Sequence, residues 1–407
     1  MNQMSSVPLH PPPVPGLVSF SGDRGEFRGL VIRGAGLELV TFGFYRFWLA
    51  TDIRRHLWSN TLIDGHAAEY TGRAKELLFG FLFAIAILLP IYLAYFMVGV
   101  EVERAKAFAS LPLFLFFYLF GQFAIYRARR YRLTRTVWCG VRFWMSGSGL
   151  AYAGRAALWG VLALITLGLA LPWREAALER YKMRHTYYGD LQGSFAGTGW
   201  EFFKRGWGLW LFFMTSFIVL FVITPLTKYF PALKPLSIIV GLFAFLVPLA
   251  APFLYAMFKA IEWRWWLSGI RFGDVRLESA LSESALMSLY WKVIGWFLLI
   301  SVLFSAYLFA CAALIAGINH TPMTKLFTQS GLQGGIPMLV ALVIGYLALI
   351  LAMNVVMRVY LLRDVWARVI ASTTVYRLEA AANVAAKGEL ANALGEGFAD
   401  GLDVAGF

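Results

Sequence analysis

Six stretches of the chain are long, apolar and free of Asp, Glu, Lys and Arg. They are residues 77–100, 107–126, 206–227, 235–258, 293–319 and 336–357. Each reaches the roughly 20 residues that a helix needs to cross a hydrocarbon layer about 30 Å thick. The composition agrees, because 59% of the residues are hydrophobic, only 14% are charged and the mean hydropathy is +0.66. The pattern predicts six membrane-spanning helices.

Two weaker apolar segments complicate this count. Residues 156–172 are uncharged but have basic residues on both sides, and residues 29–49 contain Arg33 and Glu38. We expect both segments to enter the membrane or lie on its surface without crossing it. The predicted fold class is therefore an all-α polytopic membrane protein, with about six spanning helices in three hairpins plus two short apolar segments.

A motif recurs along the chain at a fixed spacing. The pattern aromatic-x-Gly-x-x-x-Glu-apolar starts at Phe20, Tyr70 and Phe195, and Tyr70 and Phe195 are 125 residues apart. The same offset relates other pairs of identical residues, namely Trp48 and Trp173, Arg55 and Arg180, Thr61 and Thr186, and Glu76 and Glu201. Because one offset relates several unlike residue types, we predict an internal duplication with a 125-residue period.

The repeats and the composition suggest boundaries along the chain. We predict a disordered Pro-rich lead (1–17), a first membrane repeat (18–146), a second membrane repeat (147–273), a partial third repeat (274–379) and a flexible acidic tail (380–407).

Basic and aromatic residues are concentrated in the connectors that follow the apolar segments. Such residues favour the membrane interface, and the Lys and Arg bias predicts that the connectors are cytoplasmic, in a bacterial inner membrane. Anionic lipid headgroups are the expected partners. The candidate lipid or interface contacts are Arg54, Arg55, Trp58, Arg129, Arg130, Arg180, Lys182, Arg264 and Trp265.

The first connector also carries a family resemblance. Residues 41–48 (TFGFYRFW), the basic-aromatic run 54–61 (RRHLWSNT), Gly65 and the Tyr-Thr-Gly element at 70–72 resemble the YjgN family of bacterial inner-membrane proteins. The resemblance extends over residues 20–377. It implies a multi-pass inner-membrane protein without an assigned activity, and by analogy an association with a membrane-associated peptidase.

Three carboxylates stand one turn after the repeated glycines. Glu26, Glu76 and Glu201 each begin an apolar segment. A carboxylate there is favoured by the helix dipole and the unpaired N–H groups, or it pairs with a connector arginine such as Arg55 or Arg180. The alternative interpretation is a cluster that binds a cation or a cationic headgroup. We favour the structural interpretation.

Several kinds of chemistry lack the residues they require. The five histidines include no His-Glu-x-x-His pair, and no phosphate-binding glycine loop occurs. Cys139 and Cys311 lie in unlike settings and predict neither a disulfide nor a metal site. The net charge of +13 flanks the apolar runs without a nucleic-acid recognition module. We therefore predict no cofactor, no metal, no nucleic-acid partner and no enzymatic activity.

The predicted function is a non-enzymatic scaffold or a lipid-interacting module. The alternative is a transporter or channel for an uncharged or lipid-like solute. The six runs contain only mild polar groups, such as Gln122, Ser301, Ser305 and Asn354, which argues against a proton relay. A wet cavity lined by these side chains would favour transport.

Overall fold

A computed structural model of the chain describes residues 16–101, 106–318, 335–388, 390–392, 397 and 400. Most of the described residues are helical. The helices are α1 (Arg24–Val40), α2 (Arg46–Ser59), α3 (Ala74–Glu101), α4 (Lys106–Thr134), α5 (Gly149–Ile165), α6 (Leu171–Arg184), α7 (Gly199–Phe217), α8 (Thr224–Tyr229), α9 (Ser237–Gly269), α10 (Met287–Ile318), α11 (Gly335–Met357) and α12 (Val365–Ala371). Stretches of π-helix at Ile218–Ile223 and Arg358–Asp364 join α7 to α8 and α11 to α12.

Ten short strands form one closed antiparallel barrel. They are β1 (Gly16–Phe20), β2 (Thr61–Ile63), β3 (His66–Tyr70), β4 (Thr136–Trp138), β5 (Val141–Met145), β6 (Thr186–Tyr188), β7 (Leu191–Phe195), β8 (Ile270–Phe272), β9 (Val275–Ser279) and β10 (Thr373–Tyr376). Neighbours in sequence pair with each other, and β1 pairs with both β2 and β10, which closes the ring.

Along the chain, the barrel strands and the helices between them form five successive β-α-α-β segments, which we call units 1 to 5. Unit 1 covers residues 16–63, unit 2 covers 66–138, unit 3 covers 141–188, unit 4 covers 191–272 and unit 5 covers 275–376. Among the described residues, each unit sends two helical segments away from the barrel and back, where α7 with α8 and α11 with α12 each count as one segment. Positions 125 residues apart fall at matching places in units 1 and 3 or in units 2 and 4. An origin by duplication, and the boundaries drawn from it, stay predictions.

The barrel shows that the predicted all-α fold class is wrong. The strands have three to five residues, too few for an alternating pattern to stand out from the apolar helices around them. Four two-residue turns connect the hairpins, as in Asp64-Gly65 (φ 51° and 79°) and Cys139-Gly140 (φ 46° and 75°). Positive φ at both positions gives the twist that antiparallel hairpins require. Gly189-Asp190 and Gly273-Asp274 begin with a positive-φ glycine and make the other two turns.

Side chains alternate between the inside and the outside of the barrel. Phe143 on β5 and Phe272 on β8 are three strands apart, yet their ring centroids lie 6.0 Å apart, so the two rings meet inside the barrel. The outer face carries exposed polar side chains, including Glu69, Gln192 and Arg276. An apolar interior and a polar outer face suit a barrel that lies in water rather than in hydrocarbon.

Five helical segments among the described residues are long and apolar enough to cross a membrane. They are Ala74–Met97, Gly199–Tyr229, Pro231–Gly269, Met287–Ile318 and Ile336–Ala371. The predicted sixth span, 107–126, lies in α4, of which only part is described in full. The side chains of 98–101 and 106–111 lie outside the described residues.

The two weaker apolar segments form short helical hairpins. Residues 29–49 run through α1, a turn and the start of α2, whereas residues 156–172 run through α5, a turn and the start of α6. Both turns contain a glycine with positive φ, Gly43 and Gly168. None of the four helices is among the five long apolar segments, although α5 is apolar over 17 residues.

Candidate functional site

The second helix of each unit returns to the barrel and carries the basic connectors. Arg55 of unit 1 donates to the carbonyl of Gly72 at 2.9 Å, and Arg180 of unit 3 donates to the carbonyl of Gly197 at 3.3 Å. Arg363 of unit 5 likewise donates to Gly22 of unit 1. These arginines therefore join one unit to the next around the ring, which is a structural use for part of the connector charge.

The repeated aromatic-x-Gly element is explained by a close approach. The ring of Phe195, at the end of β7, lies over Gly197, where an added Cβ would meet ring atoms at 2.6 and 2.7 Å. Phe20 and Tyr70 lie over Gly22 and Gly72 in the same way. Glycine is needed there because any side chain would overlap the ring.

The three carboxylates of the motif lie at helix starts. Glu201 and Thr198 form a reciprocal cap of α7, with N–H···O distances of 3.2 and 3.4 Å. Glu26 is exposed in the first turn of α1, where its backbone N–H donates to Asp23. Glu76 accepts from Arg135 at 2.9 Å. The structure does not bring the three together into one site.

Glu76 has a second partner, since the Tyr131 hydroxyl donates to its carboxylate at 2.7 Å. The arginine partner, Arg135, belongs to the end of unit 2 itself. The sequence analysis instead proposes a connector arginine such as Arg55 or Arg180 as the partner of these carboxylates.

A buried ionic network joins units 2, 3 and 4. Glu179 of α6 accepts from Arg129 at 2.9 Å and from the Trp266 indole at 3.0 Å, and it also pairs with Lys182. Burial alone would raise the pKa of Glu179, but Lys182 and Arg129 outweigh it and lower that pKa to about 2. Glu179 is therefore a fixed anion that holds three helices together.

Other predicted lipid contacts are also engaged inside the protein. The buried Trp265 stacks on Phe202 at 4.6 Å and donates to the carbonyl of Thr198 at 3.0 Å. Trp58 stacks on Trp366 at 5.3 Å and donates to Thr136 Oγ1 at 3.0 Å.

The nine predicted contacts differ in their exposure. Arg54, Lys182 and Trp265 are buried, Trp58, Arg129, Arg130 and Arg264 are partly buried, and Arg180 is exposed. The side chain of Arg55 is 52% exposed.

An outer set of cations, which we call the cation collar, was missed by the sequence reasoning. Each first helix of a unit carries an exposed Lys or Arg near its start. The cation collar consists of Arg28, Lys75, Arg155, Lys204 and Lys292. Lys292 stands directly before an apolar run and Lys75 is separated from one by Glu76 alone, so the boundary between charge and hydrocarbon was the signal that could have found them.

An apolar cavity of about 780 Å³, which we call the lateral groove, lies between unit 3 and unit 4. The turn after α5 and the start of α6 form one wall, and α7 and α9 form the other. Its lining includes Leu169, Trp210, Phe213, Phe217 and Phe258.

Two carboxylates, Glu175 and Glu262, belong to the lining of the lateral groove. Burial raises the pKa of Glu175, although Arg174 and Lys182 oppose this. Glu262 pairs with Lys259 at 2.7 Å. An apolar cavity with a few polar groups is the usual form of a small-molecule site.

A second cavity of about 640 Å³, which we call the Asp400 cavity, lies between units 1, 2 and 5. Its lining is more polar. It includes Glu38, Arg46, Arg54, Asn354, Arg358 and Asp400. Arg358 and Glu38 form an ion pair at 3.0 Å across the units. No group of three metal-ligating side chains occurs among the described residues.

The comparisons with known proteins place the chain in a family. Residues 15–401 match the profile of a family described as a bacterial protein of unknown function (DUF898). The chain belongs to this family. No curated protein and no solved structure matches it. The family assignment therefore carries no activity, and function has to be argued from the geometry.

Proposed function

We propose that this protein is a non-enzymatic lipid-interacting scaffold of a bacterial inner membrane. The observation that carries the proposal is the lateral groove, because it is apolar and aromatic along α7, one of the long apolar segments. A groove on such a helix faces lipid chains rather than water. Its volume of about 780 Å³ falls in the range of roughly 300–1,000 Å³ that is usual for ligand cavities.

The cation collar supports the headgroup part of the proposal. Its members are exposed and stand where helices leave the polar barrel, so they meet headgroups rather than acyl chains. Each surface Lys or Arg contributes about 1 kcal/mol of attraction to an anionic membrane. The connector arginines that bond to glycine carbonyls use part of their guanidinium for that bond, so fewer of their donors are available to lipid than the sequence suggested.

The predicted inner-membrane location and topology belong to the same proposal. The barrel would lie in the cytoplasm, because the basic connectors return to it and the positive-inside rule places them there. The resemblance to the YjgN family is consistent with this location. A membrane-associated peptidase stays a proposed partner on family analogy alone.

Transport of an uncharged or lipid-like solute is the competing function. A wet path lined by Gln122, Ser301, Ser305 and Asn354 would favour it. None of these four side chains lines the lateral groove. Of the four, only Asn354 lines the Asp400 cavity. The geometry therefore favours lipid binding over a polar solute path.

A matched pair of glycine substitutions on α7 tests the groove. Gly206 lines the lateral groove and Gly208 does not, and an added Cβ has nothing within 4 Å at either position. Gly206→Trp should fill the groove and lower the phospholipid retained per protein, measured by mass spectrometry after gentle solubilisation, at least about threefold. Gly208→Trp should leave it unchanged. Equal retention in both variants and the wild type would remove the proposal.

The same samples address the other proposed partners. Proteins that copurify with the wild type, compared between native membranes and a mock purification, would include a peptidase if the family analogy applies. A solute path predicts uptake into proteoliposomes, which the lipid-binding proposal does not.

A further inference from the structure

Described residues of the C-terminal segment contact both the barrel and the helices. The Ala385 N–H donates to the Asp190 carboxylate at 3.0 Å, and Gly388 lies against the ring of Trp144 on β5. Ala391 is buried, and its carbonyl accepts from Arg135 at 3.4 Å. We call the described part of this segment, residues 384–388, 390–392, 397 and 400, the strap.

The strap brings a carboxylate into a buried arginine site. Both Asp400 oxygens accept from the Arg54 guanidinium, one of them at 3.1 Å, and Arg132 lies 3.4 Å away. The side chains of Arg54 and Asp400 are each only 2% exposed. Tyr70 also accepts from Arg54, at 3.2 Å. Two arginines from different units therefore meet one anion that comes from a distant part of the sequence.

Asp400 also lines the Asp400 cavity, so the arginine site opens onto a space large enough for a ligand. Three arginines, Arg46, Arg54 and Arg358, line that cavity with two carboxylates, Glu38 and Asp400. Without Asp400 the lining would carry two more positive than negative charges. Apart from Asn354, the rest of the lining is apolar, which suits the chain of an amphiphile.

The position of this cavity matches that of the lateral groove. Both lie beside the turn of a short helical hairpin. Gly43 and Ala50 line the Asp400 cavity, whereas Gly168 and Glu175, each 125 residues later, line the lateral groove. The chain thus has two cavities at equivalent places, and among the described strap residues Asp400 lines the first and none lines the second.

We propose that the strap is an internal ligand, with Asp400 occupying an anion site on Arg54 and Arg132 that a phosphate-bearing ligand can enter by displacing it. A bidentate guanidinium binds carboxylate and phosphate oxygens with the same geometry, so one anion can replace the other. The phosphate is that of an anionic lipid headgroup or of a soluble phosphate ester. The inference concerns a different cavity from the lateral groove and does not depend on what that groove binds.

The first test measures ligand affinity in the full-length protein in neutral detergent. Asp400→Asn removes the competing charge, and Asp274→Asn, in the exposed β8–β9 turn, is the charge-matched control. The probes are short-chain phosphatidylglycerol, glycerol phosphate and short-chain phosphatidylcholine. We expect Asp400→Asn to bind an anionic probe at least about tenfold more tightly than the wild type, and Asp274→Asn to match the wild type.

The arms of this test separate the sources of the phosphate. A gain with phosphatidylglycerol alone identifies a lipid headgroup, and a gain with glycerol phosphate as well identifies a soluble ester. Affinities of Asp400→Asn and the wild type within twofold of each other for both anionic probes would overturn the proposal. An equal gain for the zwitterionic phosphatidylcholine would overturn it too.

A second measurement uses the wild type and so does not depend on a variant that folds. Hydrogen exchange of peptides from residues 388–400 reports whether the strap is in place. A saturating anionic probe should raise that exchange at least about threefold, while phosphatidylcholine should leave it unchanged. Unaltered strap exchange with the anionic probe bound would show that the ligand does not displace Asp400, and the proposal would fail.

Discussion

Glu179 offers the sharpest test of how the units are held together. Replacing it by Gln keeps the shape of the side chain and removes the charge that Arg129 and Lys182 face. Lys182 would stay buried and Arg129 mostly buried at the junction of units 2, 3 and 4, and the Trp266 N–H would retain an acceptor. We expect Glu179→Gln to destabilise the protein without changing its fold.

The size of the effect follows from the network. Breaking a buried ion pair by removing one partner costs about 3–5 kcal/mol. The lowered pKa of Glu179 gives a comparable figure, because a change from 4.5 to about 2 corresponds to about 3 kcal/mol in favour of the ionised folded protein. At roughly 2 °C per kcal/mol for a large chain, the melting temperature should fall by about 6–10 °C.

Thermal unfolding in detergent, followed by tryptophan fluorescence, measures this fall. Asp52→Asn is the matched control, since Asp52 faces Arg55 at 3.8 Å in a pair whose side chains are 43% and 52% exposed. Such exposed pairs contribute at most about 1 kcal/mol. If both variants melted within 2 °C of the wild type, the buried network would not stabilise the junction.

The pH dependence of the melting temperature tests the same ionic network, because it fixes the direction in which the effect of Glu179 must change. The pKa of Glu179 is lower in the folded protein than in the unfolded chain. Its stabilisation is therefore complete above about pH 4.5 and is lost as the pH falls towards 2. The difference in melting temperature between the wild type and Glu179→Gln should be constant from pH 7 to 5 and shrink below 4.5. A difference that did not shrink there would refute the ionic explanation.

Three further predictions follow from the other contacts. Gly197→Ala should lower the free energy of unfolding by about 1–3 kcal/mol in denaturant titrations, because its Cβ would overlap Phe195, whereas Gly36→Ala, in open space on α1, should raise it slightly. Trp265→Phe should cost about 1 kcal/mol in the same titration through the lost bond to Thr198, with the stacking on Phe202 kept. Changing Lys75, Lys204 and Lys292 together to Gln should lower the phosphatidylglycerol enrichment of copurified lipid, while Lys387→Gln on the strap should not.

The helical part of the fold could be predicted from the sequence, because a helix that crosses hydrocarbon is recognised by its length and its apolar residues alone. Five of the six predicted runs lie in helices that are long and apolar enough to cross a membrane. That these helices span one stays a prediction. The sixth run lies in α4, and the side chains at its start are outside the described residues. The barrel was not predicted, because its strands are very short and six of its ten pairings join strands that are separated by helices; β1 pairs with β10 across most of the chain. Only the two-residue turns, such as Asp64-Gly65, offered a local signal.

The contacts that the connector residues make were harder to predict than the positions of the connectors in the sequence. Arg and Trp near an apolar run suit the interface, but the same residues also suit buried networks, and sequence does not separate the two. Arg54 and Arg55 are adjacent, yet Arg54 is buried against Asp400 and Arg55 is half exposed. The partner of Arg54 is 346 residues away, so no local pattern could have assigned it.

The unequal length of the units explains where the cavities lie. Five units close one barrel, so five helical pairs leave it at similar spacing. The pairs of units 1 and 3 are short, whereas those of units 4 and 5 continue as long apolar helices. Beyond the turns at Gly43 and Gly168 the short pairs no longer fill the space between their neighbours. Both cavities are found beside those turns. The shortened units therefore create the spaces in which a lipid chain or the strap can lie, and lengthening α5 and α6 by two turns should close the lateral groove.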